Sequence, residues 1–349
     1  MKRFIISGAI LCAGLVAAAQ QRPHYTQYVI NPFLINPAIA GIDNYTDLKV
    51  GVRDQWVGLN GAPKTTYLTI HAPLGKKDDY STSATSFDVP GQNPRGEAYW
   101  RTYTAAAPHH GVGFTMINDA TGSFRFTTVA ATYAYHLGLN ATTNLSGGFS
   151  AGFTKVSIDK SKQDYDGAGD PVDPATGSAY TGELTRIRPN MAVGFWLYSR
   201  DYFIGASAQQ VIPQTLSFVD DNASILTKGK FVPHLFFTAG YRFLLSDDIN
   251  MIPSLMVKYI KGSSIREFQP EVNIKLQYQD LLWIGGSYRY QDGYAGIVGL
   301  NVKNTFNVSY AYDRSNTSSK LNDFNKGTHE IVFGFLIGNK YSEKCPRCY

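Results

Sequence analysis

Polar and apolar side chains alternate along most of this chain. Asp47, Lys49, Gly51, Arg53 and Gln55 fall on one face of an extended stretch, with Leu48, Val50, Val52 and Trp56 on the other. Glu271, Asn273, Lys275 and Gln277 oppose Val272, Ile274, Leu276 and Tyr278 in the same way. Asn307, Ser309 and Asp313 oppose Phe306, Val308, Tyr310 and Tyr312. A period of two predicts β-strands with one wet and one greasy face. Such stretches fall near 46–57, 62–73, 110–118, 123–137, 143–156, 187–199 and 201–212, then near 231–245, 249–261, 267–279, 281–291, 293–302, 304–314 and 327–338. Strands of about 9–11 residues suit a tilted membrane crossing, and the polar faces carry full charges of both signs. An unpaired amide in hydrocarbon costs several kcal/mol, so a spanning sheet must close on itself. The fold class predicted is all-β, a transmembrane antiparallel outer-membrane β-barrel of about 14 strands over residues 46–338.

The connections give it an orientation. Short turns such as Ser199-Arg200-Asp201 and Ser246-Asp247-Asp248 follow even-numbered strands, and long links at 157–186 and 213–230 follow odd-numbered ones. Outer-membrane barrels keep short turns in the periplasm and long loops outside. The 74–109 link is long where a short turn is due, and reads as a periplasmic insertion over 76–108. Ahead of the strands, residues 20–45 hold the steps Asn31-Pro32 and Asn36-Pro37, then Gly41, an irregular pattern. That segment is the natural plug for a lumen lined by Lys49, Arg53, Arg242, Lys258, Lys275 and Arg289 with Glu271, Asp313 and Glu330.

The two termini add the compartment. Lys2 and Arg3, a short apolar core from Phe4 to Val16, and Ala17-Ala18-Ala19 read as a signal peptide over 1–19. That predicts export to the outer membrane with cleavage near Ala19. Residues 339–349 form a periplasmic tail. Composition agrees: charged residues are 17%, against about 25% in soluble domains, and 23 Tyr with 20 Phe suit aromatic girdles. Net charge is +5 and falls to +3 without Lys2 and Arg3, too mild for a nucleic-acid partner.

Chemistry is sparse. His109 and His110 are adjacent, so on a strand they point to opposite faces and do not chelate together. His136 and His329 sit near strand ends read as periplasmic edges, with no nucleophile placed beside a base. Asp164, Asp166, Asp170 and Asp173 lie in the longest outer loop without the glutamate that closes an EF-hand loop. Cys345 and Cys348 form a C-x-x-C, half of a zinc site at best and more naturally a disulfide. No catalytic residue, cofactor or metal is assigned. Arg53, Gln55 and Trp56 are the charged-and-aromatic trio that stands out. They are read either as contacts to the plug or a docked peptide, or as an inward arginine satisfied by Glu271 or Asp313 beside a belt tryptophan.

An ordered set of motifs resembles the PorP/SprF family of outer-membrane proteins of Bacteroidetes. Tyr25-Thr26-Gln27-Tyr28 leads to Asn31-Pro32-Phe33, Ile35-Asn36-Pro37-Ala38 and Gly41. Arg53-Asp54-Gln55-Trp56 and Gly61-Ala62-Pro63-Lys64-Thr65 follow, then Tyr133-Ala134-Tyr135-His136, Ile284-Gly285-Gly286-Ser287-Tyr288-Arg289, Tyr310-Ala311-Tyr312-Asp313 and Gly327-Thr328-His329-Glu330-Ile331. The 76–108 insertion and the Cys345–Tyr349 extension depart from the family pattern. The resemblance implies a non-enzymatic part of type IX secretion and gliding motility. Its partners would be the C-terminal domain of secreted cargo, anchored at the surface, and a periplasmic peptidoglycan-binding lipoprotein. Asn31, Pro32, Asn36, Pro37, Arg53, Gln55 and Trp56 would be the partner or plug contacts. The alternatives are an outer-membrane diffusion pore or small-molecule transporter, and an adhesin acting through the 157–186 and 213–230 loops.

Overall fold

A computed structural model describes residues 25–76, 103–159, 183–217, 228–260, 267–279, 281–302, 305–316 and 326–339. The wall begins with β1 (Thr46–Asp54), β2 (Lys64–Leu74), β3 (His109–Thr121) and β4 (Phe124–Gly138). It continues through β5 (Thr143–Asp159), β6 (Glu183–Ser199) and β7 (Tyr202–Gln209). A small hairpin of β8 (Gln214–Ser217) and β9 (Lys228–Phe231) then leaves the wall as a separate two-stranded sheet. β10 (His234–Tyr241) and β11 (Phe243–Ser246) resume it, followed by β12 (Ile249–Ile260), β13 (Phe268–Tyr278) and β14 (Leu282–Arg289). β15 (Gly293–Val302), β16 (Phe306–Ser315) and β17 (Thr328–Ile337) complete the ring.

Every wall strand pairs antiparallel with its neighbours in sequence, β1 pairs with β17, and β10 pairs with β12 across the 7–10–12 side. β10 and β11 are two parts of one strand interrupted at Arg242, whose N–H donates to the Asp201 carbonyl at 2.6 Å. The wall is therefore a closed barrel of 14 strands, as the alternation predicts. β1 ends at Asp54 rather than near residue 57, and Trp56 sits in the following turn with φ 51°.

Inside and outside follow the predicted parity. On β13, Glu271, Asn273, Lys275 and Gln277 are 1–5% exposed while Val272 and Ile274 are 50% exposed. A charged, covered interior beneath an apolar exterior is the inverse of a soluble protein and the signature of a lipid-facing barrel. Phe268 and Tyr278 mark the two rims of that strand. Ten residue steps at a tilted β rise span roughly 26 Å, close to the apolar band of outer-membrane barrels.

The wall is uneven in height. β7, β10 and β14 have 8 residues, whereas β5 and β6 have 17. The extra length of β5 and β6 projects at the end that carries the long links, the outer end in barrels of this kind. There Phe231 of the β8–β9 hairpin packs on Val156 and Phe126, both inward-facing. Opposite, at the turn end, the long β2–β3 link emerges. Its last described residues form a strap across the β4–β5 turn: Ala105 N–H donates to the Ala141 carbonyl at 2.8 Å, Ala106 N–H to Asn144 Oδ1 at 2.8 Å, and Asn144 Nδ2 to the Tyr103 hydroxyl at 3.0 Å.

Candidate functional site: the luminal segment

Residues 25–45 form three short 3-10 turns, Thr26–Val29, Pro32–Leu34 and Pro37–Ile39. Pro32 and Pro37 each open a turn, having no N–H to give a ladder, and Asn36 Oδ1 accepts the Ala38 N–H at 3.0 Å. The segment lies inside the barrel, running from the outer level of Arg53 down to the level of Asp47 and His71, where β1 begins. Thr26, Gln27, Ala38 and Ala40 are 0% exposed.

Its outer end is held by charge. The Thr26 hydroxyl donates to Asp313 Oδ2 at 2.5 Å and accepts from Arg53 at 2.7 Å and from Arg289 at 3.0 Å. The Thr26 N–H donates to Glu330 Oε2 at 2.9 Å. Arg53 bridges Asp313 at 2.7 Å and Glu330 at 2.9 Å, and the Tyr67 hydroxyl donates to the other Glu330 oxygen at 2.9 Å. Arg289 pairs with Asp313 at 2.9 Å and Glu271 at 3.3 Å. Arg53 thus finds Asp313 and Glu330, while the alternative partner Glu271 belongs to Arg289. Next along the chain, Gln27 donates to the Glu330 carbonyl at 2.8 Å and takes the Ser309 hydroxyl, and Tyr28 meets Asn273.

From Leu34 onward the wall grips the segment's main chain. Gln209 Nε2 donates to the Leu34 carbonyl at 3.0 Å, Ser207 to Ile35 at 2.5 Å, and Ser146 to Ala38 at 2.7 Å. Asn36 reaches the other way, its Nδ2 donating to the Phe195 carbonyl at 2.9 Å. The contact is backbone on backbone: a Cβ on Gly111 would stand 1.8 Å from the Ala40 oxygen, and one on Gly148 would stand 2.7 Å from Ala38 Cα. Wall glycines are what permit this approach.

The inner end meets imidazoles. His136 Nε2 lies 2.7 Å from the Ala40 carbonyl and His109 Nε2 3.1 Å from that of Gly41. The two rings stack with centroids 4.6 Å apart and 4° between planes. The His136 Nδ1 lies 3.1 Å from the Tyr198 hydroxyl, so its Nε2 carries the proton given to the Ala40 carbonyl. Both nitrogens of His109, by contrast, face carbonyl oxygens, Nδ1 that of Ala107 at 2.8 Å. His110, the next residue, faces lipid with Nδ1 2.7 Å from the Tyr133 hydroxyl, so the pair splits across the wall. His329 stands at the outer end, not at a periplasmic edge. It faces lipid, with Nδ1 2.6 Å from the Tyr310 hydroxyl.

Asp43, Asp47 and His71 bring one ligand atom each within 4.8 Å of one another. Lys49 already pairs with Asp47, and His71 Nδ1 accepts the Gly41 N–H at 3.3 Å. That places the ring proton on Nε2, which faces Asp47 at 3.6 Å. A metal would need that lone pair, so the cluster is an ion-paired, hydrogen-bonded one.

Of the residues singled out in the sequence, Asn31 donates to Thr69 at 2.9 Å, and Pro32, Asn36, Pro37 and Arg53 sit in the luminal contact. Gln55 and Trp56 lie past the end of β1. Gln55 N–H bonds Pro63 and Trp56 N–H bonds Thr328, and among the described residues no hydrogen bond or ion pair joins their side chains to the segment. Cys345, Cys348 and the Asp164–Asp173 carboxylates lie outside the described residues. Sequence reasoning did not single out His136, Gly111, Gly148 or Ser207 as segment contacts. The available signal was parity, which puts all four on the inward face.

Comparison with curated protein sequences finds no match. Among solved structures the chain is similar to the Acinetobacter baumannii outer membrane protein Omp33, at 7% identity and TM-score 0.44 over 85% of this chain and 100% of that one. It is similar to a Pseudomonas aeruginosa FadL homologue at 9% identity, TM-score 0.44, over 91% and 95%. It is also similar to the translocator domain of autotransporter NalP from Neisseria meningitidis at 11% identity, TM-score 0.39, over 95% of both. The family whose sequence model matches residues 17–335 is described as type IX secretion system membrane protein PorP/SprF. With an outer-membrane barrel around a luminal segment that begins at the Tyr25-Thr26-Gln27-Tyr28 motif, the chain belongs to the PorP/SprF family of type IX secretion membrane proteins.

Proposed function

We propose that this protein is a closed, non-enzymatic docking component of the type IX system. It would hold secreted surface proteins by their C-terminal domain on the outer face and contact a peptidoglycan-binding lipoprotein on the periplasmic face. The observation that supports this most is the segment packed inside the lumen. A segment wholly covered by the wall, charge-locked at one end and backbone-packed at the other, suits a scaffold better than a passage for solutes. Export would use the 1–19 leader with cleavage near Ala19, checked by sequencing the amino terminus of the purified protein. The test of docking is gene deletion followed by measurement of surface-attached cargo. Release of a defined subset of type IX substrates is expected, and unchanged display of all of them refutes the role.

The competing reading is a diffusion pore or small-molecule transporter, which draws on the inward Lys258, Lys275 and Arg289. In planar bilayers the intact protein is expected to be nearly silent. A large, steady open state would favour the pore.

A further inference from the structure

The side chains that grip the luminal segment do not stop where the segment stops. On β3–β6 the inward face continues outward with Thr115, Thr128, Thr132, Ser150 and Asn190, which together with Leu34 and Pro37 of the segment border an open-sided recess. The recess lies between the segment and the β8–β9 hairpin, which leans on Phe126 and Val156 farther out. Among the described residues nothing charged lines it. Thr132 donates to Ser150 at 3.1 Å, and Thr128 lies 2.9 Å from Thr154. The Thr115 hydroxyl and the Asn190 carboxamide make no hydrogen bond to another described residue, which leaves both able to bind an arriving chain.

We propose that this recess is a docking site for a short, extended, uncharged stretch of polypeptide arriving from the cell-surface side and held through its main chain. The inference rests on the docking role above and says where and how the secreted partner is held. The chemistry is already in use one level below. There Gln209, Ser207, Ser146 and His136 hold the carbonyls of Leu34, Ile35, Ala38 and Ala40, contacts that read a backbone and ignore side-chain identity. Hydroxyls and amides continuing along the same wall offer the same recognition to a second chain. A lining without charge accepts a neutral stretch and penalises a charged one, because a buried charge needs a partner. The recess lies where the tall β5–β6 wall rises beside the shorter β7, whose pairing to β6 ends at Ala192 and Gln209.

The experiment places the photo-crosslinking residue p-benzoylphenylalanine at Thr128 of the full-length protein in its native cells, with lipid-facing Phe153 as control. Adducts are mapped by mass spectrometry. The expected result is an adduct at 128, absent at 153, that maps to one stretch of a type IX-exported polypeptide and is lost in the background Asn190→Phe, which fills the recess. Asn190→Ala removes the carboxamide without adding bulk. It lowers the yield severalfold and serves if Asn190→Phe does not assemble. Lipid adducts alone, no adduct, or a yield indifferent to both substitutions overturns the site. If gene deletion releases cargo while Asn190→Phe retains it with an unchanged crosslink, the recess is wrong and docking stands. If deletion releases none, docking fails, and the 128 adduct still decides whether the recess holds a polypeptide.

Discussion

The two ends of the luminal segment are fastened by different physics. At the outer end Thr26 sits among two guanidinium groups and two carboxylates that are 0–11% exposed. At the inner end Ala40 and Gly41 rest on glycines and on the imidazoles of His136 and His109. The outer lock is costly to break in half, because removing one ion strands its partner in a medium that solvates it poorly. The inner seat depends on shape, since backbone lying on backbone leaves no rotamer to absorb an added atom. A charged lock tolerates small shifts of position but not a change of chemistry. A packed seat tolerates chemistry but not volume.

The largest effect expected is at the packed seat. Gly111→Val puts a Cβ 1.8 Å from the Ala40 oxygen, a main-chain atom with no rotamer by which to give way. The inner end should leave the wall, read as a steady conductance in planar bilayers that the parent lacks; a silent variant would show that the seat is soft. Next is Arg53→Met, which leaves Asp313 and Glu330 one cation short. A loss of about 3–5 kcal/mol is expected in urea unfolding from vesicles, and Asp313→Asn in the same chain should recover part of it. Thr26→Val removes the hydroxyl shared by Arg53, Arg289 and Asp313. It should cost about 1–3 kcal/mol in the same assay without opening the lumen. Ser146→Ala, at the inner end, removes one bond to the Ala38 carbonyl and should cost about 1 kcal/mol. Smallest is Trp56→Ala, within about 0.5 kcal/mol, since that side chain serves neither end. A large loss there would mean that the turn after β1 joins the outer lock.

Alternation over 46–338 is enough to read fourteen strands and to sort Glu271 from Val272, because a period of two survives any detail of packing. Strand ends are not legible that way. β1 stops at Asp54 because the chain turns at Trp56, whose φ is 51°. The four-residue strands β8 and β9 carry too few alternations to rise above loop composition. Arg53 shows the limit for the site. Its inward direction follows from its neighbours in sequence, but Glu330 is 277 positions away and comes beside it because β17 closes against β1.

Sequence alone determined what each residue is suited to: strands greasy on one side, a leader-like start, and a stretch of Asn-Pro steps unable to join a ladder. It also carried the ordered motifs that mark the family. Only the tertiary structure decided which carboxylates hold Arg53, which glycines bear the segment's backbone, and that the main-chain-binding wall rises past the segment to a recess that no described residue fills. The reason is that periodicity is a local property of the chain, whereas ring closure sets contacts between residues hundreds of positions apart.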